Sequence, residues 1–390
     1  MKTRSLSSQR GFTLLELMVA SAIGLLAIWA MTSLFKQGMD ATFVITQRAE
    51  TQQNMRAAIE LMTKDISLAG SGLPSGGLQL PTGGTLSKFA CNQTGTCYVP
   101  TDTYPNNASA GTSNYMYGIL PGFNNGVENG AAIVNAPGRV NDSITSVYCD
   151  YSFPLSNFAF SFPNTTQATV APAAIITAGL PTNILAPGGL NVGDLIFFLV
   201  SSPGNGTGNQ GTSLAQTAAV VGEITGLPNS TTINFAASDA LNFNQTGPNS
   251  LASAQANLNS APAGNVVTAC RLNVVTYFLE VPAAGGTVQS PRLMRQVNGL
   301  PAVPVADNII NLQITYDVIN SNLGTISANQ ADPLGAGLSP ALIQKVNLWI
   351  MGESLLAGGT RSQSMYLASS VSASNMSFCN SYSTQNTVCQ

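Results

Sequence analysis

Histidine is absent from this 390-residue chain. Its absence excludes Ser-His-Asp and Cys-His catalysis, a histidine general base and any zinc site that needs an imidazole ligand. Charged residues are scarce as well: they make up 8% of the chain, whereas a soluble globular protein has about a quarter. We therefore expect a structural or binding protein rather than an enzyme, with no cofactor and no metal ion.

The chain also lacks a basic surface. Its net charge is -3, and three of its cationic residues, Lys2, Arg4 and Arg10, lie within the first ten positions. Sequence-independent binding to nucleic acid depends on clustered lysine and arginine. The glycine-rich run Gly204–Asn209 lacks the Lys-Ser/Thr ending of a phosphate-binding loop. We expect neither a nucleic-acid partner nor a bound nucleotide.

The cysteines form no C-x-x-C pair, which excludes zinc-ribbon and thioredoxin-type sites. An even number of cysteines behind an export signal indicates disulfides in an oxidising compartment. Short loop closure favours two local pairs and leaves a third, long-range one, although other pairings and buried free thiols remain open. These pairs are Cys91 with Cys97, Cys379 with Cys389, and Cys149 with Cys270.

A long apolar segment runs from Phe12 to Phe35, and Glu16 is its one charged residue. The uncharged part from Leu17 onwards is just long enough to span a hydrocarbon core of about 30 Å as a helix. Basic residues precede it, so we expect the amino terminus in the cytoplasm and the bulk of the chain outside. A carboxylate in hydrocarbon costs several kcal/mol, so we expect a dedicated partner for Glu16.

Three interpretations of this segment compete. A secretory signal peptide could be cut near Ala20-Ser21-Ala22, but Glu16 interrupts its apolar region and strong apolarity continues beyond the cut. A plain signal anchor explains the length and leaves Glu16 unexplained. A third interpretation, in which the chain is cut before Phe12 and Glu16 has a partner, explains both.

The third interpretation rests on the stretch Arg10-Gly11-Phe12-Thr13-Leu14-Leu15-Glu16-Leu17-Met18-Val19-Ala20. This stretch resembles the class III signal of type IV pilins and type II secretion pseudopilins. The resemblance implies that prepilin peptidase cleaves between Gly11 and Phe12 and that Phe12 is N-methylated. Glu16 can then pair with the Phe12 amine of a neighbouring subunit, which removes most of the cost of burying each charge. Residues 1–11 form the leader and residues 12–36 the transmembrane and filament-core helix.

The helix is expected to continue well beyond the membrane segment. No proline occurs between Phe12 and Leu73, and residues 37–72 are amphipathic. Apolar residues recur at helical spacing, with Arg48, Arg56, Glu60, Lys64 and Asp65 on the polar side; the apolar positions are Phe35, Met39, Phe43, Met55, Ala58, Ile59, Met62, Ile66 and Ala69. Gly70-Ser71-Gly72 with Pro74 should end the helix. A short stripe favours docking on a globular head over a coiled-coil stalk.

Residues 73–390 are predicted to form a β-rich head with a large loop-rich insertion at about 75–265. The run from Leu195 to Leu199 is continuously apolar, typical of a strand buried on both faces. Asn298-Gly299 is a turn signal. Predicted strands are Ser146–Ser152, Asp194–Val200, Ala218–Thr225, Val274–Val281, Leu293–Gln296, Ile309–Tyr316 and Val346–Met351. The fold class is α+β, with an antiparallel sheet packed on the helix. Four scattered aspartates are expected to be solvated loop carboxylates rather than a calcium site; they are Asp194, Asp307, Asp317 and Asp332.

The order of these elements resembles PilW-type minor pilins and, in outline, the J-type pseudopilins of type II secretion. The matching blocks are Asp65–Gly70, Gly193–Ile196, Asn308–Tyr316 and Val346–Ile350. The resemblance implies a role in the tip complex that initiates pilus assembly, with major and minor pilins, prepilin peptidase, the inner membrane and a tip adhesin as partners. It implies an inner-membrane, single-pass precursor with a periplasmic head, and then an extracellular pilus. An adhesin head and a pseudopilin remain the alternatives.

Overall fold

The structure is a computed structural model. It describes residues 12–74, 77–81, 115–124, 127–128, 141–172, 183–203, 214–239, 241, 243–247, 250–260, 266–280, 291–320, 324–355, 362–373 and 375–376. The expected leader, Cys91, Cys97, Cys379, Cys389 and the glycine-rich run 204–209 lie outside the described residues.

The described residues form one long α-helix, one short α-helix, two single-turn 3-10 helices (Leu155–Asn157 and Pro340–Leu342) and eighteen strands. The α-helices are α1 (Leu14–Leu68) and α2 (Leu251–Ser260). The strands are β1 (Leu78–Gln79), β2 (Tyr115–Met116), β3 (Ile119–Gly122), β4 (Val127–Glu128), β5 (Ser143–Asp150), β6 (Phe158–Asn164), β7 (Gln167–Pro172), β8 (Leu195–Pro203), β9 (Leu214–Glu223), β10 (Gly226–Asn229), β11 (Thr232–Asn234), β12 (Val266–Glu280), β13 (Arg292–Val297), β14 (Val303–Asp307), β15 (Ile309–Asn320), β16 (Thr325–Gln330), β17 (Ile343–Leu355) and β18 (Ser362–Ser372).

The helix α1 is continuous over 55 residues, a length of about 82 Å. It continues because no proline interrupts it, and it ends where two glycines take up positive φ: Gly70 at 80° and Gly72 at 74°. An L side chain is strained at such angles, and a Cβ on Gly70 would lie 2.8 Å from the Asn375 carbonyl oxygen. The predicted helix and its stop signal are both confirmed.

The head is built around an eight-stranded sheet with β12 at its centre. The amino-terminal part of β12 pairs with β8, which pairs in turn with β9. Its later part pairs with β5 on one edge and β13 on the other. These pairs are antiparallel, and the short β4–β12 pair is parallel. The predicted antiparallel head is therefore confirmed.

A second sheet, which we call the C-terminal sheet, has the order β16-β15-β17-β18. The chain passes into it from the large sheet at Asn308, a non-glycine residue with a φ of 62° between β14 and β15. Asn141 and Asp142 hold the two sheets together, because their side chains accept hydrogen bonds from the backbone amides of Leu312 and Ile314 at 2.9 and 2.8 Å.

The helix α1 packs on strands of both sheets, namely β5, β14, β17 and β18. This contact forms the largest core cluster, in which the side chains of Met62, Ile66, Tyr277 and Ile314 are fully buried. The part of the predicted stripe from Met55 to Ala69 supplies the helix side of this core, so one helix face and two sheets bury each other's apolar surface.

The insertion at 75–265 is more ordered than the sequence predicts. A four-stranded sheet with the order β10-β11-β7-β6, together with α2, forms a separate core against β8 and β9. Phe198 lies at its centre, with edge-to-face ring contacts to Phe160, Phe162 and Phe235. Ile196 and Phe198 face this core, while Leu195 and Phe197 face another on the opposite side. The strand predicted to be buried on both faces is therefore confirmed.

Candidate functional site

The helix α1 has two halves in opposite environments. From Phe12, two residues before α1 begins, to Glu50 the side chains are almost all exposed: Phe12 is 87% exposed, Trp29 72% and Phe35 71%. We call residues 12–50 the free half. From Thr51 onwards one face is buried under the head, and we call residues 51–68 the docked half. Within the segment 37–72 that was predicted to be amphipathic, Phe43 is 47% exposed, and the docked face begins at Thr51, 14 residues into the segment.

The free half has the composition of a membrane-spanning helix. An 18-residue window has a mean hydropathy of 2.1, and none of that window is buried in the head. A helix of this length and apolarity can cross a bilayer. It is the one such helix in the part of the chain that the structure describes.

Several hydroxyl groups of the free half form hydrogen bonds within the helix. The Ser21 hydroxyl donates to the carbonyl of Met18 at 2.9 Å, and the Thr32 hydroxyl donates to the carbonyl of Ile28 at 3.0 Å. Such back-bonding removes the cost of placing an unpaired hydroxyl in hydrocarbon. These polar residues are therefore compatible with a nonpolar surrounding.

Glu16 forms a capping box with Thr13 at the start of α1. The Thr13 backbone amide and hydroxyl each donate to a Glu16 carboxylate oxygen at 3.0 Å. In return, the Glu16 amide donates to the Thr13 hydroxyl at 3.3 Å. The box satisfies amides that otherwise lack partners in the first helical turn, and it fixes the carboxylate at the exposed end of the free half.

This local role of Glu16 is one that the sequence interpretation missed. The pattern Thr13-x-x-Glu16 before an apolar run is itself a capping-box signal. Sequence reasoning assigned the carboxylate to a neighbouring subunit alone. Phe12, whose amine is the expected partner, is the first described residue, and Gly11 lies outside the described part.

A second carboxylate, Asp65, anchors the docked half to the head. Its side chain is 4% exposed and accepts from the Arg295 Nε on β13 at 2.8 Å. Two tyrosine hydroxyls complete the cluster: Tyr148 donates at 3.0 Å and Tyr277 at 2.6 Å. The polar-side assignment of Asp65 was therefore wrong. The residue lies three positions after Met62 and seven after Ala58, so helical spacing itself places it on the buried face.

The electrostatics of this cluster keep the two tyrosine hydroxyls and the Arg295 guanidinium protonated. Burial, followed by the negative charge of Asp65, raises the pKa of Tyr148 to about 12. The same causes raise the pKa of Tyr277. Burial would lower the pKa of Arg295, but its hydrogen bond to Asp65 and the attraction between their charges raise it above its ordinary value. The cluster is thus a cation, a carboxylate and two neutral hydroxyls, a satisfied network that joins helix to sheet.

Two of the six candidate cysteines lie in the described part, and they form a disulfide. It joins Cys149 on β5 to Cys270 on β12, with 5.6 Å between their Cα atoms, and closes a loop of 121 residues. It crosses the two adjacent strands at the centre of the large sheet.

The four aspartates considered for calcium are not brought together. Asp317 pairs with Lys345 at 3.7 Å, Asp332 accepts from the Gly335 amide at 2.9 Å, and Asp194 accepts from the Asn191 amide at 2.9 Å. Among the described residues, no group of three acidic or cysteine side chains is placed to hold a metal ion.

Comparison with known families adds one finding. Residues 6–32 match the family model for the prokaryotic N-terminal methylation motif. The match indicates a type IV pilin-like prepilin. It spans Gly11, Phe12, Glu16 and most of the apolar segment, the same residues on which the sequence resemblance rests. No curated protein and no solved structure matches the chain.

The motif and the fold support the same general description. The long apolar helix followed by an antiparallel head fits an α+β pilin-like fold. Proteins with this motif are structural, are processed by prepilin peptidase and have other pilins as partners in general. The motif and the exposed apolar helix are consistent with a subunit that is anchored in the inner membrane and later enters a filament.

Proposed function

We propose that this protein is a PilW-type minor pilin that takes part in type IV pilus assembly, in the tip or initiation complex. The observation that carries the proposal is the free half of α1, which is proline-free, apolar and exposed, and which begins at the Phe12–Glu16 motif. A large apolar helix surface in water is unfavourable. A bilayer covers it before assembly, and neighbouring pilin helices cover it afterwards.

In this proposal prepilin peptidase removes residues 1–11 and Phe12 is N-methylated. Before assembly, residues 12–36 anchor the subunit in the inner membrane as a single pass, with the head in the periplasm. After assembly, the subunit lies in the extracellular pilus in contact with major and minor pilins and with a tip adhesin.

Glu16 then has two successive partners. In the single chain its carboxylate is held by Thr13. In the filament it pairs with the Phe12 amine of a neighbouring subunit, an ion pair that also sets the axial position of one subunit against the next. The exchange is favourable because the Thr13 donors are neutral, whereas the ammonium group brings an opposite charge that removes most of the cost of burying the carboxylate.

The leader assignment is tested by sequencing the amino terminus of the mature protein and measuring its mass. We expect a chain that starts at Phe12 and carries one additional methyl group. A start at any other residue contradicts the proposal. Cells without prepilin peptidase serve as the control and should retain residues 1–11.

Two variants of Glu16 and one of Thr13 separate the capping box from the pairing between subunits. Glu16→Ala removes both roles, and Glu16→Gln keeps the box, because glutamine also caps at this position, but removes the charge. Thr13→Val keeps the charge and weakens the box, at a cost of about 1 kcal/mol. All three should be cleaved and inserted into the membrane.

Incorporation into purified pili is the measurement for this series. Both Glu16 variants should be excluded from pili, while Thr13→Val should be incorporated. Incorporation of Glu16→Gln at the wild-type level would show that the cap, and not the charge, is what assembly needs.

A specific observation favours an adhesin as the second candidate. The four-stranded sheet and α2 form a core of their own within the insertion, more structure than docking to a helix requires. A deletion of residues 75–265 would remove β5 and β8, which pair with β12, so point substitutions on the exposed face of β6 are the better test. Ala159→Asp with Ser161→Arg should keep piliation and abolish attachment if this module binds surfaces.

Loss of pili in that variant would favour an assembly role for the module, and unchanged attachment would contradict the adhesin. A J-type pseudopilin of type II secretion is distinguished by phenotype. Its deletion would block protein secretion and leave pili intact, whereas deletion of a minor pilin reduces piliation.

A further inference from the structure

The C-terminal sheet has one covered face and one open face. The helix α1 covers the inner face so closely that a Cβ on Gly352 of β17 would lie 2.9 Å from Thr51 and 3.0 Å from Met55. The opposite face carries a groove of about 460 Å³ across β15, β17 and β18. We call this the outer groove. Its polar lining includes Gln313, Thr315, Asn347 and Ser370.

One residue that lines the outer groove belongs to an aromatic pair. Trp349 on β17 lines the groove, and Tyr366 on β18 lies beside Trp349, with ring centroids 6.4 Å apart and ring planes within 22° of parallel. Cross-strand aromatic pairs can stabilise a sheet. Burial does not explain this one, because Tyr366 is 76% exposed. Tyr366 therefore presents most of its ring to solvent, beside the half-buried ring of Trp349.

The charge of the outer groove is balanced within the chain. Lys345, the cation that lines it, pairs with Asp317 at 3.7 Å. Asp317 also accepts from the Asn329 amide at 2.8 Å and from the Asn347 side-chain amide at 3.2 Å. A charged ligand would find no uncompensated partner among these groups. The groove matches a ligand that is uncharged, rich in hydroxyl groups and able to cover an aromatic ring.

We propose that the outer groove binds a neutral polysaccharide of hexopyranose units. The C–H groups on one face of a pyranose ring carry partial positive charge and pack on the negative faces of Trp349 and Tyr366. The hydroxyl groups of the neighbouring units exchange hydrogen bonds with the amide and hydroxyl side chains of β15, β17 and β18. Strands lie about 4.8 Å apart, so successive sugar units crossing them meet a repeating row of such groups.

The proposed function places this groove where a polysaccharide could reach it. In a filament whose core contains α1, the inner face of the C-terminal sheet points toward the axis and the outer groove points away. This orientation rests on the pilin proposal. The binding itself is a property of the single chain and does not depend on it.

The sequence allows a direct measurement, because Trp29 and Trp349 are its two tryptophans. The Trp29→Phe variant of the full-length protein leaves Trp349 as the one fluorescent tryptophan. It is titrated with cellohexaose, with chitohexaose and, as a charged comparison, with an alginate oligomer of equal length. The detergent must carry no sugar headgroup, since such a headgroup would compete for the groove.

We expect a saturable change in Trp349 fluorescence with at least one neutral hexasaccharide. On the same background, Tyr366→Ala should weaken binding by about tenfold and Tyr366→Phe, which keeps the ring, should bind as before. Tyr151→Ala is the matched control, because Tyr151 is 63% exposed elsewhere on the head.

Three outcomes would overturn the proposal: no saturable change with either neutral hexasaccharide, equal binding by Tyr366→Ala, or binding of the alginate oligomer at least as tight. None of them touches the leader cleavage or pilus incorporation, so failure here is distinguishable from failure of the proposed function.

Discussion

The free and docked halves of α1 are made of similar residues and differ in what covers them. Met31 in the free half is 70% exposed, whereas Met62 in the docked half is 0% exposed. Each half also has one carboxylate with a structural role: Glu16 is held by its own helix end, and Asp65 by the head. Both halves are helical because the local sequence favours a helix throughout. Only the docked half makes tertiary contacts with the head.

The largest effect expected in this comparison comes from Asp65. Asp65→Ala leaves the Arg295 cation and two tyrosine hydroxyls without their shared acceptor, and breaking a buried ion pair costs about 3–5 kcal/mol. The measurement is the unfolding free energy of the full-length protein in denaturant. Glu60→Ala, at an exposed position of the same half, is the control and should change it by less than about 0.5 kcal/mol. Equal effects of the two variants would contradict the anchoring role.

A smaller and more variable loss of unfolding free energy is expected when the two methionines, Met62 and Met31, are compared by substitution with alanine. Met62→Ala removes a buried side chain from the main core and should cost about 2–5 kcal/mol. Met31→Ala should leave the unfolding free energy of the head unchanged, because nothing in the head touches that residue. If Met31→Ala destabilised the head as much as Met62→Ala, the division into two halves would be wrong.

The smallest expected effect is on the pH dependence of the unfolding free energy, and it arises from the docked half alone. The folded state holds the proton of Tyr148, whose pKa is raised to about 12, so this stabilisation is fully present below the ordinary tyrosine pKa of about 10. It is lost as the pH rises from about 10 toward 12, with a limiting slope of about 1.4 kcal/mol per pH unit. Tyr148→Phe should flatten the decline in unfolding free energy above pH 10. An unchanged slope would contradict the role of this hydroxyl.

Much of the fold could be predicted from the sequence because its signals are local. Helical spacing, the absence of proline and the glycines after Ala69 determine α1 and its end. Each of the seven predicted strands overlaps an observed one. The turn signal at Asn298-Gly299 corresponds to φ values of 50° and 69°, which asparagine and glycine adopt more readily than other residues.

The rest depends on contacts that sequence spacing does not display. The strand β18 (Ser362–Ser372) is rich in serine and was missed, since its pairing with β17 decides its conformation. The helix α2 and strands β6, β7, β10 and β11 were also missed, in a region where glycine and asparagine obscure the pattern. Local spacing did place Asp65 on the buried face, but its charge was taken as a sign of exposure. Its partners lie 83 to 230 residues away.

The head covers α1 only from Thr51 onwards, and this has a consequence for the energetics of assembly. If residues 12–36 lie in the bilayer, as proposed, residues 37–50 form an uncovered neck of about 21 Å between the membrane surface and the head. This neck carries Met39, Phe43 and Ile45, which are 59%, 47% and 67% exposed. Neither lipid nor head covers these side chains, so they face water for as long as the subunit waits in the membrane. Entry into a bundle of neighbouring helices would remove these side chains from water. The free energy of this burial would offset part of the free energy needed to extract the anchor from the bilayer.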